Sequence, residues 1–115
     1  MWIMVSGPYT AGGADTAKRA ENLRLMNDAA VALQRAGHVP VIGVNMALPM
    51  IEAAGGGEAA YQEMMMPVSL ALADRCDACL RVGGPSLGAD DEMRRFEAAG
   101  RPVYRSLGEV PDVEG

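Results

Sequence analysis

Ser86, Gly88 and Glu92 stand in the pattern Ser-x-Gly-x-x-x-Glu, within Gly84-Pro85-Ser86-Leu87-Gly88-Ala89-Asp90-Asp91-Glu92. The stretch joins a strand-like run, residues 77–82, to a helix-like run, residues 92–99. A small-residue turn at that junction presents bare backbone amides at a helix N-terminus, where the dipole favours an anion such as phosphate. Glu92 is expected in the first helical turn, facing whatever the turn cradles, as a nucleophile or base. The competing account is structural: Ser86 and Asp90 are good capping residues, and acidic groups in a first turn complement the dipole. Asp90, Asp91 and Glu92 would raise one another's pKa if close, and Arg94 and Arg95 are expected to offset them through local pairs.

Tyr9 follows the first strand in a Gly-Pro loop and is a candidate to flank a ligand, or a surface tyrosine. Asp77 is either a strand-start residue bonding nearby amides or a site acid. Asn45, just past the second strand, can reach a sugar hydroxyl or a base. His38, between a helix stop and a strand, reads as a loop residue, and Met64-Met65-Met66 as core or subunit interface. Cys76 and Cys79 have Cys-x-x-Cys spacing, but there is no second pair and His38 is the sole histidine, so both read as buried structural thiols in a reducing compartment, most simply the cytoplasm. No metal or cofactor is expected.

These residues need elements to position them. Residues 2–5 read as a first strand, followed by a loop at residues 6–13. Asp15 or Thr16 caps a helix running to about Arg35, which Gly37 ends. Residues 39–44 form a second strand; residues 46–51 are apolar and ambiguous. The glycine-rich residues 53–58 read as a mobile connection. Residues 61–75 form a helix, with Pro67 starting its regular part or kinking it. Strands at 77–82 and from Pro102 to Tyr104 flank a helix over 92–99. Helices alternate with continuous apolar strands, which predicts a three-layer α/β fold: a parallel sheet of four or five strands with helices on both faces. The loops at Gly7 and at Gly84 to Gly88 both follow strands and so share the sheet edge where ligands bind.

The 115 residues make one domain, and with 50% hydrophobic residues they can bury a real core. A net charge of −5 with no basic cluster argues against nucleic acid as a partner. No apolar run suggests a membrane span, and no signal peptide is read. The Met- and Ala-rich helix at residues 61–72, in so small a chain, points to a homodimer or homotetramer.

Val5-Ser6-Gly7-Pro8-Tyr9 after the first strand, together with Cys76-Asp77-Ala78 leading to Ser86-Leu87-Gly88-Ala89-Asp90-Asp91-Glu92, resembles the nucleoside 2-deoxyribosyltransferase-like superfamily, most closely its small DUF4406 domains. The resemblance covers nearly the whole chain and makes residues 1–115 a single domain of that kind. It implies a Rossmann-like or flavodoxin-like fold, and deoxyribosyl transfer or N-glycosidic hydrolysis on a nucleoside or nucleoside 5′-monophosphate. It makes Glu92 the nucleophile that attacks the anomeric carbon. Ser86 and Gly88 then lie at the 5′ end, and the loop of Ser6, Gly7, Pro8, Tyr9 and Thr10 lies along the sugar and base. Asp77 and Tyr9 join Glu92 as catalytic candidates, and Asn45 joins the binding residues. Members often carry an aspartate on the helix before the third strand; the matching position here is Ser69. That departure keeps a second reading open, a noncatalytic nucleotide-binding module; a structural oligomer without a small ligand is a third.

Overall fold

The structure, a computed structural model, describes residues 1–112. Its elements run β1 (Trp2–Ser6), α1 (Thr16–Arg35), β2 (Val39–Val41), α2 (Gly43–Ala53), α3 (Gly57–Ala73), β3 (Ala78–Arg81), α4 (Leu87–Ala98) and β4 (Val103–Tyr104), with short 3₁₀ turns at Ala11–Gly13 and Leu107–Glu109. The strands form one four-stranded sheet in the order β2-β1-β3-β4, all pairs parallel. Ile3 to Ser6 of β1 pair in step with Ala78 to Arg81 of β3.

Strand alternation divides the core. Ile3 and Val5, with Ala78 and Leu80, belong to a cluster containing Met26, Ala29 and Leu33 of α1, Val44, Ala47 and Ile51 of α2, and Ala60 and Met65 of α3. Met4 and Cys79 belong to a second cluster with Ala73, Cys76 and Phe96. Both faces are therefore covered, as continuous apolar strands require. The Phe96 ring also carries the Arg101 guanidinium 4.3 Å above its centroid.

Local chemistry sets the helix ends. Asp15 caps α1 by accepting from the Lys18 N–H at 2.8 Å. Ser86, in extended conformation, caps α4 by accepting from the Ala89 N–H at 3.1 Å. The helix therefore starts at Leu87, five residues before the start expected at Glu92. The apolar stretch at 46–51 is α2, and the connection expected over residues 53–58 shrinks to the turn at Ala54 to Gly56. Gly55, Gly56 and Gly57 all have positive φ, 98°, 72° and 89°, so the glycine run is a defined helix–helix turn. Pro67 lies inside α3 and does not divide it. Among the described residues, no helix is long and apolar enough to cross a membrane.

The chain leaves β1 toward β2 on one side and returns to β3 on the other. The carboxyl ends of β1 and β3 are thus the point where strand order reverses, the usual ligand crevice of such sheets. The two loops there are locked together. Gly83 has φ +75°, and a Cβ on it would fall 2.7 Å from Pro8 Cδ. Gly83→Ala should lower stability by more than about 1 kcal/mol in urea denaturation, through strain and clash together. Gly84→Ala, next door in open space and without positive φ, should leave the midpoint unchanged. Equal effects of the two changes would contradict this account of the loop.

Candidate functional site

A cavity of about 500 Å³ opens at that sheet edge. The β1 loop lines it with Gly7, Tyr9, Thr10, Ala11 and Gly12. Helix α2 adds Val44, and α3 adds Tyr61, Gln62, Met65, Met66 and Ser69. The β3–α4 junction contributes Pro85 to Asp90, and Glu92 follows in the second turn of α4.

Glu92 is 9% exposed. It lies in the second turn of α4, on the same stripe as buried Ala89 and Phe96, spaced by three and four residues. Helical geometry thus carries a carboxylate into a position otherwise reserved for apolar side chains. The Ser6 hydroxyl donates to Glu92 Oε2 at 2.8 Å, and the Cys79 thiol donates to Ser6 Oγ at 3.5 Å. Burial pushes the Glu92 carboxyl up to about 7, with Asp91 adding to the rise; the Ser6 hydrogen bond and Arg81 pull it down.

Arg81 holds the β3–α4 loop. Its Nε meets Asp90 Oδ1 at 3.3 Å, and its terminal nitrogens donate to the carbonyls of Val82 and Gly84. Asp90 therefore pairs with Arg81 and not with the arginines of its own helix. Arg94 does pair locally, with Asp91 at 2.8 Å, whereas Arg95 reaches Asp74 at 3.0 Å.

The structure brings Glu92, Tyr9, Gly7, Thr10, Ser69, Ser86 and Gly88 to one cavity, with Ser6 directly beneath Glu92. Three candidates lie elsewhere. Asp77 starts β3 at the amino edge of the sheet, where its Oδ2 accepts from the Trp2 N–H at 2.8 Å. It is a strand-start residue and cannot act in a pocket at the carboxyl edge. Asn45 is exposed on α2 and donates to Asn27 Oδ1 at 2.8 Å. Pro8 is buried behind the cavity, against Gly83. His38 is buried, its Nδ1 3.0 Å from the Met1 amine and its Nε2 2.6 Å from the Pro111 carbonyl.

Ser69 is 2% exposed and packs on α2, where a Cβ on Gly43 would fall 2.1 Å from Ser69 Oγ. Among the described residues, the carboxylates lining the cavity are Asp90 and Glu92. Tyr61, Met65 and Met66 also line the site, which the sequence reading does not anticipate. Tyr61 Oη lies 3.4 Å from Thr10 Oγ1, tying α3 to the β1 loop. Met66 packs where Gly88 leaves room: a Cβ there would sit 3.2 Å from its sulfur. The Asn22 side chain donates to the Tyr9 carbonyl at 3.1 Å and anchors the same loop from α1. Cys76 and Cys79 are buried and free, and burial pushes Cys79 up to about 11. Among the described residues, no cluster of His, Cys, Asp and Glu is placed to hold a metal ion.

The family model described as "Domain of unknown function (DUF1937)" matches residues 1–106. No curated protein matches the chain.

The raised Glu92 pKa has a measurable consequence. Unfolded, Glu92 ionises near 4.5; folded, it keeps its proton to about 7. Between those values the folded state binds the extra proton, so its contribution is fully present below the unfolded pKa and is lost as pH rises through 7. Glu92→Gln should remove this slope. Its stability relative to wild type should rise between about pH 4.5 and 7 and level off above, by roughly 3 kcal/mol at most. Urea denaturation across that range tests it, and parallel profiles would refute the burial of an ionisable carboxyl.

Proposed function

The chain belongs to the DUF1937 family, a domain of unknown function, and from the cavity we propose that it cleaves an N-glycosidic bond, or transfers a deoxyribosyl group, on a nucleoside or nucleoside 5′-monophosphate. The observation that carries this reading is Glu92: a buried carboxylate held by one hydrogen bond at the wall of a cavity large enough for a nucleoside. Breaking a glycosidic bond develops positive charge at the anomeric carbon, and a carboxylate on the opposite face can capture it. The Glu92 oxygen forms the new C–O bond while the C–N pair leaves with the base. Water, or a second base, then attacks the glycosyl ester and frees Glu92. Tyr9, Tyr61, Met65 and Met66 offer flat and polarisable surfaces for base and sugar. Two carboxylates at the cavity, with Arg81 already engaged, favour an uncharged ligand end over a phosphate. The resemblance of the Ser-x-Gly-x-x-x-Glu and Ser-Gly-Pro-Tyr segments to nucleoside 2-deoxyribosyltransferase-like proteins supports the same reading.

Ser69 favours a second reading. Where the resembling proteins often carry an aspartate, this chain has a buried hydroxyl. The leaving base must then take its proton from solvent through the cavity mouth, or the domain binds a nucleotide without turning it over. Free, buried Cys76 and Cys79 support a reducing, cytoplasmic setting. The exposed Trp2, Val39, Met46 and Met50 support a homodimer or homotetramer. Sedimentation at high micromolar concentration should show a dimer or larger species; a monomer would overturn that proposal.

Incubation with natural nucleosides, 2′-deoxynucleosides and their 5′-monophosphates should release free base. Glu92→Ala and Glu92→Gln should each cut the rate by at least about a hundredfold with the fold intact. As a nucleophile Glu92 must be ionised, so the rate should climb with pH and level off above about 7. A rate that falls above 7 would make Glu92 a proton donor instead. Binding by calorimetry without base release would establish the binding module, and neither binding nor release would refute both readings.

A further inference from the structure

We propose that Ser6 is the positioning residue for Glu92, holding Oε2 so that Oε1 is the oxygen presented to substrate, with Cys79 setting the direction of the hydrogen bond. This rests on the reading of Glu92 as the reacting carboxylate. Three side chains from three elements form the line: Cys79 of β3, Ser6 of β1 and Glu92 of α4. Ser6 and Cys79 are 1% and 0% exposed, so water does not compete for either.

The direction follows from counting protons. A thiol carries one, and burial keeps that of Cys79 in place well above neutral pH. A hydroxyl has one proton to give and lone pairs to receive. With the thiol donating to Ser6 Oγ, the hydroxyl proton points to Oε2. Oε2 is thereby committed as an acceptor, and the carboxylate plane cannot turn without breaking the bond. Oε1 has no protein partner among the described residues, yet it is not an orphaned buried atom. With Glu92 lining the cavity, Oε1 is open to it. The register of the sheet makes this possible: Met4 pairs with Cys79 and Ser6 with Arg81, so alternate positions of β1 and β3 send the serine and the thiol to the face covered by α4.

A structural hydroxyl that merely filled space would leave the Glu92 proton affinity alone. The positioning bond stabilises the ionised form, so its loss must raise that affinity. The other charged or titratable groups around Glu92 are Arg81 and Cys79 from β3, Asp90 and Asp91 from α4, Tyr9 from the β1 loop and Tyr61 from α3. Ser6→Ala leaves all of these groups in place and takes a hydrogen bond from only one of them, the Cys79 thiol, which burial keeps protonated.

The test is the titration of the Glu92 side-chain carboxyl by carbon NMR in the full chain, which needs no substrate. Ser6→Ala should move the midpoint upward by about one pH unit, and Ser6→Thr, which keeps a hydroxyl, should restore it. In the base-release assay Ser6→Ala should lower kcat by roughly ten- to a hundredfold with KM nearly constant. Its pH–rate profile should shift upward with the titration. Cys79→Val, which removes the thiol donor, should give a smaller shift in the same direction. An unchanged Glu92 midpoint in Ser6→Ala would overturn the inference, whatever the activity. If the midpoint moves as stated but wild type releases no base from any nucleoside, the glycosidic reading fails and the hydrogen-bond geometry stands.

Discussion

Burying one carboxylate sets the terms for the surrounding structure. An ionised acid in a poorly hydrated position loses solvation that a few hydrogen bonds must replace, or it takes up a proton. Glu92 lies between those limits. A single hydroxyl, Ser6, faces it from the sheet, and Arg81 acts from farther off because its guanidinium is spent on Asp90 and two loop carbonyls. A direct Arg81–Glu92 ion pair would hold the acid firmly ionised and inert. The arrangement found leaves it exchanging protons near neutrality, where either protonation state is within easy reach.

The same constraint explains why the polar and apolar halves of the cavity come from different parts of the chain. The polar half is built at strand ends, from the loops after β1 and β3, where backbone turns are tight and glycine permits close approach. The apolar half is built from α3, whose Met65 and Met66 face the loop entering α4. Small residues make this wall possible: Gly43 lets α2 press against Ser69, and Gly88 lets Met66 approach α4. A side chain at Gly43 would push α3 away, and one at Gly88 would displace the Met66 side chain, so either would change the shape of the cavity before it touched any ligand.

Much of the architecture was legible in the residue order. Continuous apolar strands separated by helical segments imply a parallel sheet, and two glycine loops after strands imply a shared edge; the β1–β3 pairing bears both out. Glu92 was recognised for its place in a small-residue junction, though its turn of helix was wrong because the Ser86 cap starts α4 earlier. Asp77 lies outside the site for a reason the sequence contains: a residue that opens a strand in a parallel sheet lies at the amino edge, away from the crevice. Tyr61 and Met66 were illegible because the side of α3 facing the site is decided by packing across Gly43 and Gly88, which no periodicity within α3 records. Helix α2 was obscured by its composition. Its buried residues, Val44, Ala47 and Ile51, do have helical spacing, but an almost wholly apolar segment with Pro49 inside it hides that face.

Ser6 and Glu92 are separated by 86 positions along the chain, yet meet at one hydrogen bond. During synthesis the N-terminal half emerges first, with Ser6 at the end of a strand that still lacks its β3 neighbour. Local helices can form early, but this contact must wait for the most distant segments to close on one another. The buried carboxyl thus joins the sheet only when α4 docks, and a chain clipped before α4 carries the loops without the acid. Docking of α4 and completion of the buried polar line from the sheet to Glu92 therefore become the same event.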